Sequence, residues 1–237
     1  MGTNCIFHPK QVAALNTRHR PDDAAGVIKS ALRVMTPGRL ALVSSFGAES
    51  IVLLHLVAAE NREIPVLFID TGLLFAETLT YQEQVAERLD LNDIRVIRGD
   101  PATIRARDPY GGLRLGDSDA CCKLRKRAPL EAALSGFDGW ISGRKSFQSL
   151  TRRGLDHFEL EEETGLLKVN PLAHWTAQDL RQYMYNHDLP PHPLVARGYP
   201  SIGCAPCTSQ VNKGEDSRAG RWRGQGKTEC GLHISPA

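Results

Sequence analysis

The sequence predicts an α/β fold: a single domain with a mostly parallel, twisted sheet flanked by helices, followed by a flexible C-terminal tail. Three observations predict it. Short apolar runs alternate with stretches of helical character through the first hundred residues, polar turns close the first two runs, and the chain becomes polar and glycine-rich only beyond Cys207. With 237 residues, 41% of them hydrophobic, the chain is long enough to bury one large core. The domain is assigned to residues 31–210, with an N-terminal extension at 1–30 and a mobile tail at 211–237.

The first strand is Leu40 to Ser44, running into the turn Ser45-Phe46-Gly47-Ala48-Glu49-Ser50 and a helix over Ile51 to Ala59. A second apolar run, Ile64 to Ile69, ends at Asp70-Thr71-Gly72 and precedes a helix from about Ala76 to Leu89, after which Ile94 to Ile97 is the third strand. Strands alternating with helices imply a parallel sheet whose ligand lies beyond the carboxyl ends of the strands, where both polar turns fall. Ser118 to Leu134 is read as one helix and Trp140 to Ser142 as a short strand. A loop rich in Arg, Lys, Ser and Gln follows from Gly143 to Gly154. Leu155 to Val169 is expected to form short strands or a hairpin. Thr176 is a suitable N-cap for a helix reaching His187, and the prolines from Pro190 to Pro200 prevent a regular element. No internal repeat or low-complexity linker interrupts the chain.

The net charge of +2 conceals basic clusters at Lys123–Arg127, Arg144–Arg153 and Lys213–Lys227 and an acidic one at Glu159–Glu163. Such local fields favour a small anionic ligand, although each run taken singly is equally a solvated face. A pI near 8.2 without an aromatic reading motif argues against a nucleic-acid partner. No apolar stretch is long enough to span a bilayer, and Met1 to Arg20 lacks a signal-peptide core, so a cytoplasmic protein is expected. There, six cysteines suggest metal or redox chemistry in preference to disulfides.

Ser44 to Ser50 has the form of an anion site, because unpaired amides and the positive end of a helix dipole meet at such a turn. An ordinary strand-to-helix turn has the same form. It is not a Walker A loop, which needs Gly-Lys-Ser/Thr after its glycines, so a P-loop ATPase or kinase is disfavoured. The cysteines are more specific. Cys121-Cys122 and Cys204-x-x-Cys207 offer four thiolates, the number that tetrahedral zinc or a cubane iron-sulfur cluster requires, and spacing does not choose between them. Cys230, in Glu229-Cys230-Gly231-Leu232-His233, stands outside that set. It is either a nucleophile on a mobile segment or an incidental terminal thiol. Cys5 has no assigned role.

Together these segments resemble the assimilatory adenylyl sulfate and phosphoadenylyl sulfate reductases, of the adenine-nucleotide alpha-hydrolase fold. The resemblance is carried by Ser44-Ser45-Phe46-Gly47-Ala48-Glu49, Asp70-Thr71-Gly72, Cys121-Cys122-x-x-Arg125-Lys126, Tyr199-Pro200-Ser201-Ile202-Gly203-Cys204-Ala205-Pro206-Cys207, Gly214-Glu215-Asp216, Arg218-Ala219-Gly220-Arg221-Trp222 and Glu229 to His233. It implies a 4Fe-4S cluster on Cys121, Cys122, Cys204 and Cys207, which would settle the choice of metal. It also implies adenylyl sulfate as the substrate, with phosphoadenylyl sulfate or dual specificity as the alternative. Ser50 stands where cluster-bearing members often have an acidic residue, and substrate preference is not read from it.

Carried over by position, Ser44, Ser45, Phe46, Gly47, Ala48, Glu49 and Ser50 would wrap the sulfate and phosphate, while Asp70, Thr71 and Gly72 would lie near the nucleoside. Arg152, Arg218 and Arg221 would neutralise the anion. Lys126 would see both cluster and sulfate. Cys230 would attack sulfur to give an S-sulfocysteine and AMP, with His233 as a candidate assistant. Thioredoxin or glutaredoxin would then release sulfite. Two other classes remain at this stage: an ATP-dependent RNA sulfur-transfer enzyme and a non-enzymatic iron-sulfur sensor. A homo-oligomer is compatible with the sequence, which is silent on oligomeric state.

Overall fold

The computed structural model describes residues 6–225, 227 and 229. Cys5, Cys230 and His233 therefore lie outside the described residues. The strands are β1 (Leu40–Ser44), β2 (Val66–Ile69), β3 (Ile94–Ile97), β4 (Gly139–Ile141), β5 (Phe158–Leu160) and β6 (Leu167–Val169). They form one sheet in the order β3-β2-β1-β4-β6-β5, parallel throughout except for the antiparallel β5–β6 pair. β2 starts at Val66, two residues into the apolar run, because Pro65 has no amide to donate; its carbonyl accepts from Leu42 N at 2.8 Å instead. All four β2 residues are buried, as expected of a parallel strand covered on both faces.

The helices are α1 (Pro9–Asn16), α2 (Ala24–Val34), α3 (Ser50–Glu60), α4 (Ala76–Arg88), α5 (Pro101–Arg107), α6 (Leu113–Gly116), α7 (Ser118–Cys122), α8 (Ala128–Leu134) and α9 (Ala177–Asn186). α3 is apolar on nearly every face and packs into the central core with α2, β1 and β6. α9 has the N-cap anticipated at Thr176, and Asp179 returns the bond to complete a capping box. None of these helices is long and apolar enough to cross a membrane.

The structure departs from the sequence-based reading in three places. α2 crosses the boundary placed at residue 30. α1 is also part of the domain, since Asn16 bonds both the amide and the carbonyl of Phe158 and so covers the edge of β5. The single helix expected from Ser118 to Leu134 is interrupted by a π-turn at Lys123–Arg127. Pro129 explains it: proline cannot donate to the carbonyl four residues back, and its ring crowds that carbonyl, so the helix widens by one residue just upstream. Finally, residues 211–225, read as the start of a mobile tail, lie on the domain. Ser209 N bonds Gly220 O at 2.8 Å, Trp222 N bonds Cys207 O at 3.1 Å, and the Trp222 side chain is buried. Burial of the indole gives this polar stretch the apolar anchor that its composition conceals.

The proline segment after α9 is tied down by His192, which is fully buried. Its Nε2 faces Thr78 Oγ1 at 3.1 Å and its Nδ1 accepts from Leu194 N at 3.1 Å, so the ring is the neutral Nε2–H tautomer. Burial pushes its pKa down to about 4, with Glu77 acting in the opposite sense. A folded value below the unfolded value of about 6.5 means that the unfolded chain takes the proton first as pH falls. Stability from this site is therefore complete above about pH 6.5 and is lost as pH falls towards about 4, by on the order of 3 kcal/mol. Urea unfolding across that window should show the decline, and His192→Gln, less stable at neutral pH, should show a shallower one.

Candidate active site

β1 has β2 on one side and β4 on the other, so the chain leaves the sheet in opposite directions at this point and opens a crevice beyond the strand ends. A cavity of about 210 Å³ occupies it. Its floor is the turn from β1 to α3. Ser44 Oγ accepts from Phe46 N at 3.2 Å and Ser50 Oγ accepts from Gly47 N at 3.0 Å, closing the turn on itself. Phe46 is the hinge. It adopts a φ of +47°, unusual for a bulky residue, and is held there by full burial and an edge-on contact with Phe68 at 5.2 Å.

Ser44, Ser45, Gly47, Ala48, Glu49 and Ser50 all line the cavity, whereas Phe46 points into the core. The same cavity is lined by Lys126, Arg152, Arg218 and Arg221, so the four cations named from the sequence are brought to one place. Asp70, Thr71 and Gly72 are not in the wall. The β2 turn contributes Ile69 and Leu74 instead. Asp70 supports that turn from behind, accepting from Gly72 N and from Arg98 Nε, both at 2.9 Å.

Glu49 does not cap α3 with its side chain. Its carboxylate accepts from Lys145 Nζ at 2.8 Å and from Gln148 Nε2 at 2.9 Å. Lys145 is only 4% exposed, and burial pulls its pKa down while Glu49 pulls it up. Gln148 in turn accepts from Arg152 Nη1 at 2.6 Å, and Arg152 donates from Nε and Nη2 to the two carboxylate oxygens of Glu229, each at 2.6 Å. Lys145, Gln148 and Glu229 were not singled out from the sequence. Lys145 and Gln148 fall within the basic loop flagged at Gly143–Gly154, and Glu229 within the final motif, but only the fold joins them.

The two cysteine pairs approach one another beside this cavity. Cys121, Cys122 and Cys204 are buried, Cys207 is half-buried, and none of the four is in a disulfide. Thr71 Oγ1 lies 3.2 Å from Cys204 Sγ, and Leu73 O accepts from Ala205 N at 2.8 Å, so the second pair is seated on the β2 turn. Burial raises the Cys121 pKa, opposed by Arg125, and Cys204 and Cys207 raise it further. Burial likewise raises Cys207, with Lys126, Arg221 and Lys227 opposing. Cys121 and Cys207 thus both lie within electrostatic reach of Cys204, with cations on the cavity side. Among the described residues no three of His, Cys, Asp and Glu converge on a point that would hold a single metal ion.

The sequence profile of the phosphoadenosine phosphosulfate reductase domain matches residues 39–210. The adenosine 5'-phosphosulfate reductase of Mesorhizobium japonicum is 46% identical over 88% of this chain and 82% of its own length. The protein of the same name from Chelativorans sp. is 44% identical over 93% of this chain and 89% of its own. Among solved structures, the phosphoadenylyl-sulfate reductase of Candida auris superposes with a TM-score of 0.69 at 24% identity, covering 86% of this chain and 98% of that one. The FMN adenylyltransferase of Candida glabrata reaches 0.57 at 15% identity, over 86% of this chain and 65% of that one. Both structural likenesses are of fold.

The Glu49–Lys145 pair makes a direct prediction. Glu49→Gln leaves a buried ammonium without its counter-charge and should cost roughly 2 to 3 kcal/mol in urea unfolding. Lys145→Met alone should cost less, and the double variant should recover most of the loss while still failing to bind AMP normally by calorimetry.

Proposed function

The chain belongs to the phosphoadenosine phosphosulfate reductase family, and on that premise we propose that it reduces adenylyl sulfate to sulfite and AMP with a dithiol protein as reductant. It is an oxidoreductase acting on a sulfur group, as its relatives' shared name states. That name also favours a reductase over an ATP-dependent RNA sulfur-transfer enzyme or a sensor. The observation that carries the reading is the meeting of the Ser44–Ser50 turn with Arg152, Arg218 and Arg221 around one cavity, with the residue preceding Cys230 paired to Arg152.

In this reading the turn amides and the N-terminus of α3 receive the phosphate and sulfate oxygens, and the arginines balance their charge. The Cys230 thiolate attacks the sulfate sulfur. A sulfur–sulfur bond forms, the sulfur–oxygen bond to AMP breaks, and the electron pair leaves on the AMP phosphate oxygen, which nearby cations stabilise. A thiolate of thioredoxin or glutaredoxin then attacks Cys230 Sγ, sulfite departs with the bonding pair, and the second thiol of the partner resolves the mixed disulfide. The two electrons come from that dithiol. His233 is a candidate for assisting the exchange. With such a partner the protein would work in the cytoplasm, where dithiol proteins are kept reduced.

Cys121, Cys122, Cys204 and Cys207 would hold a 4Fe-4S cluster. The chemistry of the donor set supports this: four thiols outside disulfides, Cys121 and Cys207 within electrostatic reach of Cys204, and cations on the side facing the cavity. When bound, it would supply a cross-link between α7 and the Cys204 loop and a charge felt across the cavity. Lys126, which lines the cavity and acts on Cys207, is the residue of this chain suited to relay that charge.

Purified protein mixed with labelled adenylyl sulfate without a thiol partner should acquire a sulfonate on Cys230, read by mass spectrometry. Cys230→Ser should abolish both adduct and sulfite release while retaining AMP binding. Labelling to the same extent in Cys230→Ser protein would refute the nucleophile. A parallel reaction with phosphoadenylyl sulfate at equal concentration decides between the two nucleotides. Cys121→Ser and Cys204→Ser proteins should lose visible absorbance and bound iron.

A further inference from the structure

Glu229 is the one acidic residue of the final motif, and its carboxylate is buried at 7% exposure behind Arg152, which lines the cavity. Both its oxygens take a donor from the same edge of Arg152 at 2.6 Å, and Arg218 Nη2 lies 3.9 Å from Oε1. This two-point ion pair fixes direction as well as distance, because the planar fork of a guanidinium matches the two oxygens of a carboxylate. Arg152 is itself immobilised. Gln148 takes its remaining terminal nitrogen, Glu49 takes Gln148, and Lys145 takes Glu49. A continuous polar chain therefore runs from Glu229 to the first turn of α3, where the anion is received.

A second tether lies two residues earlier. Lys227 Nζ pairs with Asp119 on α7, lies 3.9 Å from Cys122 Sγ, and stands 5.6 Å from the centre of the Trp222 ring. The segment that precedes Cys230 is thus pinned at Lys227 against the cysteine helix and at Glu229 to Arg152, which Gln148 links to Glu49.

The geometry points to Glu229 as a positioning residue for the sulfur-transfer step: its two-point pairing with Arg152 fixes the residue next to the proposed nucleophile beside the arginines of the cavity. The inference rests on Cys230 being the nucleophile. A thiolate attacking in line with a sulfur–oxygen bond must be placed to within a fraction of a bond length, and small misplacements are costly in rate. Glutamine in place of Glu229 offers one acceptor where the fork requires two. Aspartate keeps both oxygens on a stem one methylene shorter. The rival reading is that Glu229 merely competes with the nucleotide for Arg152.

Single-turnover sulfonation of Cys230 by saturating adenylyl sulfate separates the two, followed by mass spectrometry on full-length protein alongside AMP titrations and thermal melts. Glu229→Gln should slow sulfonation about 10- to 100-fold with AMP affinity retained, because the defect lies in placement and not in binding. Glu229→Asp should restore part of the rate. An unchanged rate in Glu229→Gln overturns the proposal. So does tighter AMP binding with equal or faster sulfonation, which would make Glu229 a competitor. A slowed rate matched by a lowered melting temperature, without rescue by aspartate, assigns a purely structural pair and overturns it too. Sulfonation that persists in a Cys230→Ser control is a separate failure, that of the nucleophile.

Discussion

The way β1 ends constrains everything around the cavity. A parallel strand that hands its chain to a helix in one short turn must reverse direction while leaving backbone amides exposed to a ligand. Here Ser44 and Ser50 close the turn with their hydroxyls, and Phe46 absorbs the reversal at a φ of +47°. That conformation costs an ordinary side chain of order 1 to 3 kcal/mol, offset because the ring is buried against Phe68 in the main core. The same aromatic residue therefore anchors the sheet and shapes the anion turn. The strain sits in the turn proposed to receive the ligand, the kind of place where strained backbone commonly recurs.

From that turn the polar chain through Glu49, Gln148 and Arg152 carries the constraint outward to the last described residue, Glu229. Each link is a charged or amide group held in a low-exposure setting, where a missing partner is expensive and a present one is directional. The cysteine side is coupled to the same frame by different means. The β2 turn supports Cys204 through Thr71 and Leu73, and α7 supplies Cys121 and Cys122 directly before the π-turn. Lys126 follows within that π-turn and reaches the cavity wall, so the irregularity caused by Pro129 lies between the thiols and the ligand space.

How much of this was legible in the sequence depended on the range of the interaction. The first two strands were readable because buried parallel strands are continuous apolar runs, and α9 because its N-cap at Thr176 is a local signal. The π-turn had a signal in Pro129 that a plain helical reading passes over. The ordering of residues 211–225 had none in composition, since it depends on Trp222 and on a backbone contact with Ser209. Within the site, the turn, the cysteines and the arginines were visible as motifs, whereas Lys145 and Glu229 are partners of Glu49 and Arg152 from 96 and 77 residues away. Residue types reveal what chemistry is on hand; which charge answers which is decided by the fold.

Arg221 shows what that decision accomplishes. Its Nη1 donates to Ile202 O at 3.1 Å, and its guanidinium carbon lies 4.5 Å from the centre of the Trp222 ring. The space on the other side exists only because residue 203 is glycine: a Cβ there would stand 2.3 Å from Arg221 Nη2. Gly220 has the same need one element away, where a Cβ would meet Ser209 O at 2.1 Å and force apart the two segments that carry Cys207 and Arg221. The two glycines therefore serve close approach, one of a guanidinium and one of a backbone. A cation packed between an indole and a glycine backbone loses its rotamer freedom during folding, before any nucleotide arrives. Under the proposed role for Arg221 that cost would be absent from the transition state, because a fixed charge stabilises a developing phosphate anion more effectively than one that must first be ordered.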